Sequence, residues 1–371
     1  MTVELEEAFR LGGDTDDDDQ IFGVITQVRT DDEGNTYLLD SQLNEVRVFS
    51  AEGEFVEVLG REGEGPGEFR NANQLMRLPN GNWGIMQAAP GRIAQISADG
   101  EPLSDYPIPT GEAGGFVVLR GGNASADNLF LTLQKNQPGE GMFTMAITLT
   151  ACDDQGNELT SYVSTERELV FADPVIDEEI WDTFDRRWGP TVDGRIFAVL
   201  RNSTYAINVW NVDGSLDRII EREYTPLART QEEIDETTEI YERFTAQLPN
   251  AKIKISDNAP SIANIYARND GSIWVLSGRG ASQQPEGALG TFDVFSPEGH
   301  FVRQVTLIGD GDSQRDQFLF EKDRLFVITG FLDAAMNAFA AGGSDDDEEE
   351  EYVEPLEVIC YKLDDEALAM K

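Results

Sequence analysis

The sequence predicts an all-β, six-bladed β-propeller of four-stranded blades, its ring closed by the N-terminal strand and carrying one helical insertion between blades four and five. Three observations predict it: two interleaved series of turn motifs, each repeated six times, and an amphipathic segment ahead of the first blade that supplies the strand missing from the last.

In the first series an apolar strand ends in a polar or acidic pair and a glycine. It occurs as FSAEG (Phe49 to Gly53), ISADG (Ile96 to Gly100), CDDQG (Cys152 to Gly156), WNVDG (Trp210 to Gly214) and FSPEG (Phe295 to Gly299), with a degenerate copy, YKLDD, at Tyr361 to Asp365. Glycine supplies the positive φ of a tight hairpin, so these are the turns between strands c and d of each blade. The second series places Gly or Asp before a short apolar strand: Gly34 to Tyr37, Gly81 to Gly84, Asp127 to Phe130, Gly194 to Phe197, Gly271 to Trp274 and Asp323 to Phe326. These are the turns between strands a and b.

Blade six has strands near Gln317 to Phe320, Arg324 to Thr329 and Leu356 to Lys362, and too little chain follows for a fourth. Val3, Leu5, Phe9 and Leu11 alternate with Glu4, Glu6, Ala8 and Arg10, as one strand over Val3 to Leu11 would. Placed beside blade six, that strand closes the ring and removes its open edge. The whole of 1–371 is then one propeller unit, with a helical insertion at about 229–249 and an acidic loop at 343–353.

Around blade one the residues also carry a resemblance. Asp32 to Ser41, Asn44 to Gly53 and the GREGEGPGEF run from Gly60 to Phe69 resemble an NHL repeat. The GEGPGEF pattern is similar to that of bacterial NHL-like six-bladed propellers that are exported or lipid-anchored, which implies a periplasmic, extracellular or cell-surface location. The N-terminal MTVELEEAF has neither the basic nor the apolar region of a secretory signal, and no run of 18 apolar residues exists, so the sequence predicts no transmembrane segment.

Charge narrows the partners. Against 28 Lys and Arg stand 70 Asp and Glu, a formal net charge of -42, and no basic cluster rises above that background. Nucleic acids and anionic membranes are excluded, because both are bound by neutralising phosphate. An unidentified protein or small-molecule ligand remains. The acidity suits solubility, in a salty medium above all, or capture of cationic partners.

Chemistry narrows the activities. A Ser-His-Asp group, a histidine zinc site or a histidine base needs an imidazole, and the one histidine, His300, follows Gly299 in a hairpin on the face away from the long loops. No GxSxG, HExxH or CxxC motif occurs. The Gly63 to Gly67 loop precedes a strand and is flanked by Glu62, Glu64 and Glu68, which would repel a phosphate; it reads as a blade-to-blade crossover anchored by Phe69. Cys152 and Cys360 fall in opposite blades, too far apart for a disulfide, so two separate thiols are expected.

Turns a to b and c to d are uniformly short, whereas b to c and d to a connections hold Gly60 to Arg70, Phe171 to Arg186, Tyr224 to Pro260, Ser277 to Gly290 and Gly330 to Pro355. All of the second class lie on one face, the expected binding face. Within the largest, Thr230 and Glu233 form a capping box, Ile234, Tyr241, Phe244 and Leu248 share one helix face, and Pro249 ends it; such a helix would cover the propeller mouth. Phe331 to Ala341 reads as a further helix, followed by the acidic run Ser344 to Glu351, which with Asp14 to Asp19 lacks the EF-hand pattern.

Ligand-binding candidates are polar residues where b strands emerge and a strands begin on that face: Asp40, Gln87, Gln134, Arg186, Arg187, Arg201, Asn202 and Arg279. An arginine there suits a carboxylate or sugar acid held bidentately, or a salt bridge to a neighbouring acid. The sequence thus reads as a non-enzymatic binding propeller without catalytic residues, metal ligands or cofactor. The alternative is a Ca²⁺-dependent, lactonase-like hydrolase with carboxylate and amide ligands in the central channel.

Overall fold

Strand Thr36–Asp40 is buried along its whole length, and its side chains divide two ways. Leu38 joins an apolar cluster with the last blade, Leu39 one with the second. That division follows from the period of two along a strand buried on both faces, and it recurs around the ring.

In a computed structural model, residues 1–109, 116–125, 127–181, 184, 187–248, 250–341 and 355–363 are described. The N-terminal segment forms β1 (Thr2–Glu4) and β2 (Glu6–Gly12). Blade one is β3 (Ile25–Thr30), β4 (Thr36–Asp40), β5 (Glu45–Phe49) and β6 (Phe55–Leu59). A short parallel pair, β7 (Arg61–Glu62) and β8 (Glu68–Phe69), leads to blade two, β9 (Ala72–Arg77), β10 (Trp83–Gln87), β11 (Arg92–Ile96) and β12 (Pro102–Leu103). Blade three is β13 (Phe116–Ala124), β14 (Leu129–Gly139), β15 (Met142–Cys152) and β16 (Glu158–Val170). After β17 (Val175–Asp177) and α1 (Glu178–Trp181) comes blade four: β18 (Trp188–Pro190), β19 (Ile196–Ala198), β20 (Ala206–Trp210) and β21 (Leu216–Glu221). Helix α2 (Gln231–Phe244) and β22 (Lys252–Lys254) precede blade five. That blade is β23 (Ile262–Ala267), β24 (Ile273–Ser277), β25 (Ala288–Phe295) and β26 (Phe301–Ile308), with α3 (Gly278–Ser282) between its second and third strands. Blade six is β27 (Gln317–Glu321), β28 (Arg324–Thr329) and β29 (Glu357–Lys362), with α4 (Phe331–Ala341) before the last strand.

The six-bladed, all-β class is as the motifs predict. Sheet order β2-β29-β28-β27 makes the N-terminal strand the fourth strand of blade six. The segment is not one strand, however. Thr2–Glu4 pairs in parallel with β26 of blade five, and only Glu6–Gly12 pairs antiparallel with β29. Val3 and Leu5 accordingly pack with the blade-five and blade-six cluster, whereas Phe9 and Leu11 pack with that of blades six and one. The segment therefore staples three blades.

The apolar core is a ring of six clusters, each lying between two neighbouring blades. Cys152 lies in the cluster of blades two and three and Cys360 in that of blades six and one; both are buried free thiols, and burial pushes each up to about 12. No helix among the described residues is long and apolar enough to cross a membrane.

Two of the insertions are joined to each other. The insertion before blade four and the one before blade five are knitted together through parallel pairing of β17 with β22, and α2 packs on β22. Their junction is a buried ion pair: both guanidinium nitrogens of Arg229 donate to Glu178 at 2.7 Å, and Ser256 N donates to the same carboxylate at 2.9 Å. Helix α2 begins with the predicted capping box, Thr230 Oγ1 accepting from Glu233 N and Glu233 accepting from Thr230 N. Pro249, the acidic loop 343–353 and Arg186 lie outside the described residues.

Candidate functional site

A cleft of about 540 Å³ opens on the long-loop face between blades four and five. Two features of the local sequence build it. Strand β21 runs out into Arg222-Glu223-Tyr224-Thr225, and β24 ends in Ser277-Gly278-Arg279-Gly280. Ser277 caps α3 by accepting from Gly280 N at 3.0 Å. The flanking glycines let the short helix sit close, because a Cβ at Gly280 would lie 2.2 Å from Thr291 O and one at Gly278 2.5 Å from Pro260 O. Arg279 is thereby held at the cleft wall.

Two lining residues, Arg222 and Gln304, are tied to a buried charged network. Asp293 in β25 is buried, accepts from Tyr205 Oη at 2.7 Å and Gln304 Nε2 at 2.9 Å, and is ion-paired with Arg222. Burial opposes the charge of Arg222, but the Asp293 carboxylate outweighs it and the guanidinium pKa is raised. Burial, with Asp293 beside it, likewise pushes the Tyr205 hydroxyl far up. Arg279 differs in kind. Its side chain donates to Thr225 O at 3.1 Å, Pro226 O at 3.3 Å and Gln283 Oε1 at 3.0 Å, which are neutral acceptors. No carboxylate among the described residues forms an ion pair with it, although Glu223 lines the same cleft. Gln284 and Thr291 add an amide and a hydroxyl to the wall, bonded at 2.7 Å.

Of the sequence candidates among the described residues, Arg279 alone lines this cleft. Arg187 and Asn202 are brought together, both buried, with the Arg187 guanidinium donating to Asn202 Oδ1 and, at 2.9 Å, to Ile262 O. They fasten blade four to the first strand of blade five. Arg201 is exposed beside them. Asp40 is fully buried, its carboxylate accepting from the backbone of Gly23, Val24, Gln42 and Leu43 at 2.7 to 3.1 Å; it organises two loops. Gln87 Oε1 accepts from Arg70 N at 3.1 Å and is buried. Gln134 lies mid-strand, because β14 runs on to Gly139, and bonds Arg120 at 2.9 Å and Asn136 at 2.7 Å.

Arg222, Glu223, Tyr224, Gln283, Gln284, Thr291 and Gln304 were not among the sequence candidates. The one local signal for this region was the GRG that follows the apolar run IWVLS. Among the described residues no three His, Cys, Asp or Glu side chains converge as metal ligands. His300 is exposed in the hairpin 296–300, on the face away from the cleft. The Gly60 to Phe69 crossover is held by Glu68, which accepts from Gly65 N at 2.9 Å and Arg61 Nε at 2.8 Å, and by buried Phe69.

Residues 14–76, which span blade one, match the profile of a family described as "6-bladed beta-propeller" (DUF5128). No curated protein matches the sequence. Among solved structures, a DUF4221 family member from Bacteroides vulgatus is 11% identical, with 96% of this chain and 97% of that one covered and a TM-score of 0.52. A Bacteroides fragilis protein inferred to be exported is 11% identical, covering 98% and 100%, with a TM-score of 0.49. The calcium-binding protein regucalcin from Agrobacterium tumefaciens is 11% identical, covering 98% and 97%, with a TM-score of 0.40. The first likeness is one of fold alone. The chain is a six-bladed β-propeller whose opening blade carries the sequence pattern of a six-bladed propeller family.

Proposed function

We propose that this propeller is a binding protein, not a catalyst, that takes a small carboxylate-bearing ligand of the sugar-acid type in the cleft between blades four and five, and that it works outside the cytoplasm. The observation that carries the reading is Arg279: in a chain of net charge -42, a guanidinium bonded only to neutral oxygens stands at the wall of an open cleft. A planar fork with spare N–H groups matches a carboxylate bidentately, and neighbouring amides and hydroxyls match a polyol. Pockets with a few convergent polar groups are where small ligands bind. The extracytoplasmic location rests on the GEGPGEF resemblance of blade one.

The test is calorimetric titration of D-galacturonate and of D-galactose, which differ in the carboxylate. Galacturonate is expected to bind and galactose not, and Arg279→Ala is expected to weaken binding at least about tenfold, a charge-assisted hydrogen bond contributing roughly 1.5–3 kcal/mol. Equal affinity for the two sugars, no affinity for either, or an unchanged affinity in Arg279→Ala would overturn the reading.

A further inference from the structure

Blade three is longer than its neighbours. Strands β14 and β15 each have 11 residues and β16 has 13, against five in β4 and β5 of blade one. Six extra residues at about 3.4 Å each carry the sheet roughly 20 Å beyond the ring on the long-loop face. There the connection between b and c, which in blades five and six holds a helix, is the two-residue turn Glu140-Gly141.

The register sorts the overhang into two faces. Pro138 pairs with Phe143 and Phe143 with Leu169, while Phe116 pairs with Asn136, two residues along on the same side. That side therefore carries Phe116, Pro138, Phe143, Leu169 and Phe171, together with Asn136, Met145 and the buried Arg167, whose guanidinium lies over the Trp181 ring. The rings are in edge contact, Phe116 to Phe143 at 6.3 Å and Phe143 to Phe171 at 5.3 Å. Phe116 is still 52% exposed and Phe171 43%. The other side presents Lys135, Thr144, Glu166 and Glu168. An apolar face of this kind, left open, marks an interaction surface. Through Phe116 it runs into an apolar cleft of about 520 Å³ walled by Pro90, Ile108, Pro109 and Val117.

Charge decides the occupant. Glu140 stands exposed in the turn at the tip of the ridge, and Glu166 and Glu168 stand exposed on the edge strand β16, pointing to the side away from the rings; no ion pair joins the three to any described residue, whereas Lys135 is paired with Glu158 and Lys252 with Asp173. A second copy would bring its own net charge of -42 against the same field. We propose that the aromatic face of the blade-three overhang docks a lysine- or arginine-rich segment of a partner protein, whose apolar side chains seat on Phe116, Phe143 and Phe171 while its cations reach Glu140 at the tip and, around the edge strand, Glu166 and Glu168. This docking is independent of the sugar-acid cleft.

The probes are fluorescein-labelled peptides of about eight residues that alternate Lys with Leu, Lys with Ser, or Glu with Leu, titrated with the full chain and read by fluorescence anisotropy. The Lys–Leu peptide is expected to bind, about tenfold more weakly in Phe116→Ser/Phe171→Ser and more weakly as salt rises from about 0.05 M to about 0.5 M; the Glu–Leu peptide is expected not to bind. Both phenylalanines are exposed, and an unchanged far-ultraviolet dichroism spectrum would show that the double variant is folded. Equal binding of the Lys–Ser peptide, unchanged binding in the double variant, or no binding of the Lys–Leu peptide would overturn the proposal. So would sedimentation of the wild type as a dimer that the double variant abolishes, because the face would then be occupied by a second copy.

Discussion

At the scale of single residues, the hairpin aspartates tie the fold to pH. Asp193, in the turn between β18 and β19, accepts from Arg195 Nε at 2.9 Å and from Thr191 Oγ1 at 2.5 Å, and the Arg195 bond holds its carboxyl down to about 2. Its folded pKa lies below the unfolded value of about 3.9, so its contribution is present above that value and is lost as pH falls toward 2. Asp153 and Asp213 occupy the c to d turns of blades three and four and are lowered in the same direction, by hydrogen bonds from Asn157 and Ser215. Asp193→Asn should therefore lower the melting temperature near neutral pH and match the wild type near pH 2. A difference that stays constant across that range would refute this account of the turn. Asp193 is half exposed, which keeps the effect small.

At the scale of elements, packing sets where polar groups can act. Gly280→Ala would place a Cβ 2.2 Å from the Thr291 carbonyl oxygen and push α3 off β25. We expect about 1–3 kcal/mol of destabilisation in denaturant titration together with loss of galacturonate binding; a variant with wild-type affinity would mean that α3 does not position Arg279. Ring closure has its own test. Phe9 is buried between blades six and one, and Phe9→Ala should cost about 3–5 kcal/mol, whereas a fraying N-terminal strand would give nearly none.

These elements show what the sequence could and could not carry. Strands of two-sided burial, such as TYLLD at Thr36–Asp40, announce themselves as continuous apolar runs between glycine turns, so the blades were legible. The split of the N-terminal strand was not, because Val3, Leu5, Phe9 and Leu11 alternate alike whichever blade they face. The overhang of blade three was hidden for a related reason: alternation continues across the ring boundary without a change of period. In the cleft, Arg279 was legible from its place at the end of a b strand. Arg222 was not, because its partner Asp293 lies in another blade and acids are common everywhere in the chain.

At the scale of the whole molecule, six inter-blade clusters make a ring with two unlike faces. One carries the tight c to d turns, such as those ending in Gly53 and Gly299. The other carries the knitted insertions of β17, α1, α2 and β22, the helices α3 and α4, and the overhang of blade three. A rigid scaffold that places its irregular chain on one side concentrates recognition there. On the proposed function the net charge of -42 would make that selective, since an anionic ligand would gain from the cleft only where Arg279 offsets the surrounding field. Hydrogen–deuterium exchange with and without D-galacturonate tests this most directly. Protection confined to 222–225 and 277–284 is the predicted result; protection of the c to d hairpins at 50–54, 97–101 or 296–300, or none anywhere, would contradict it.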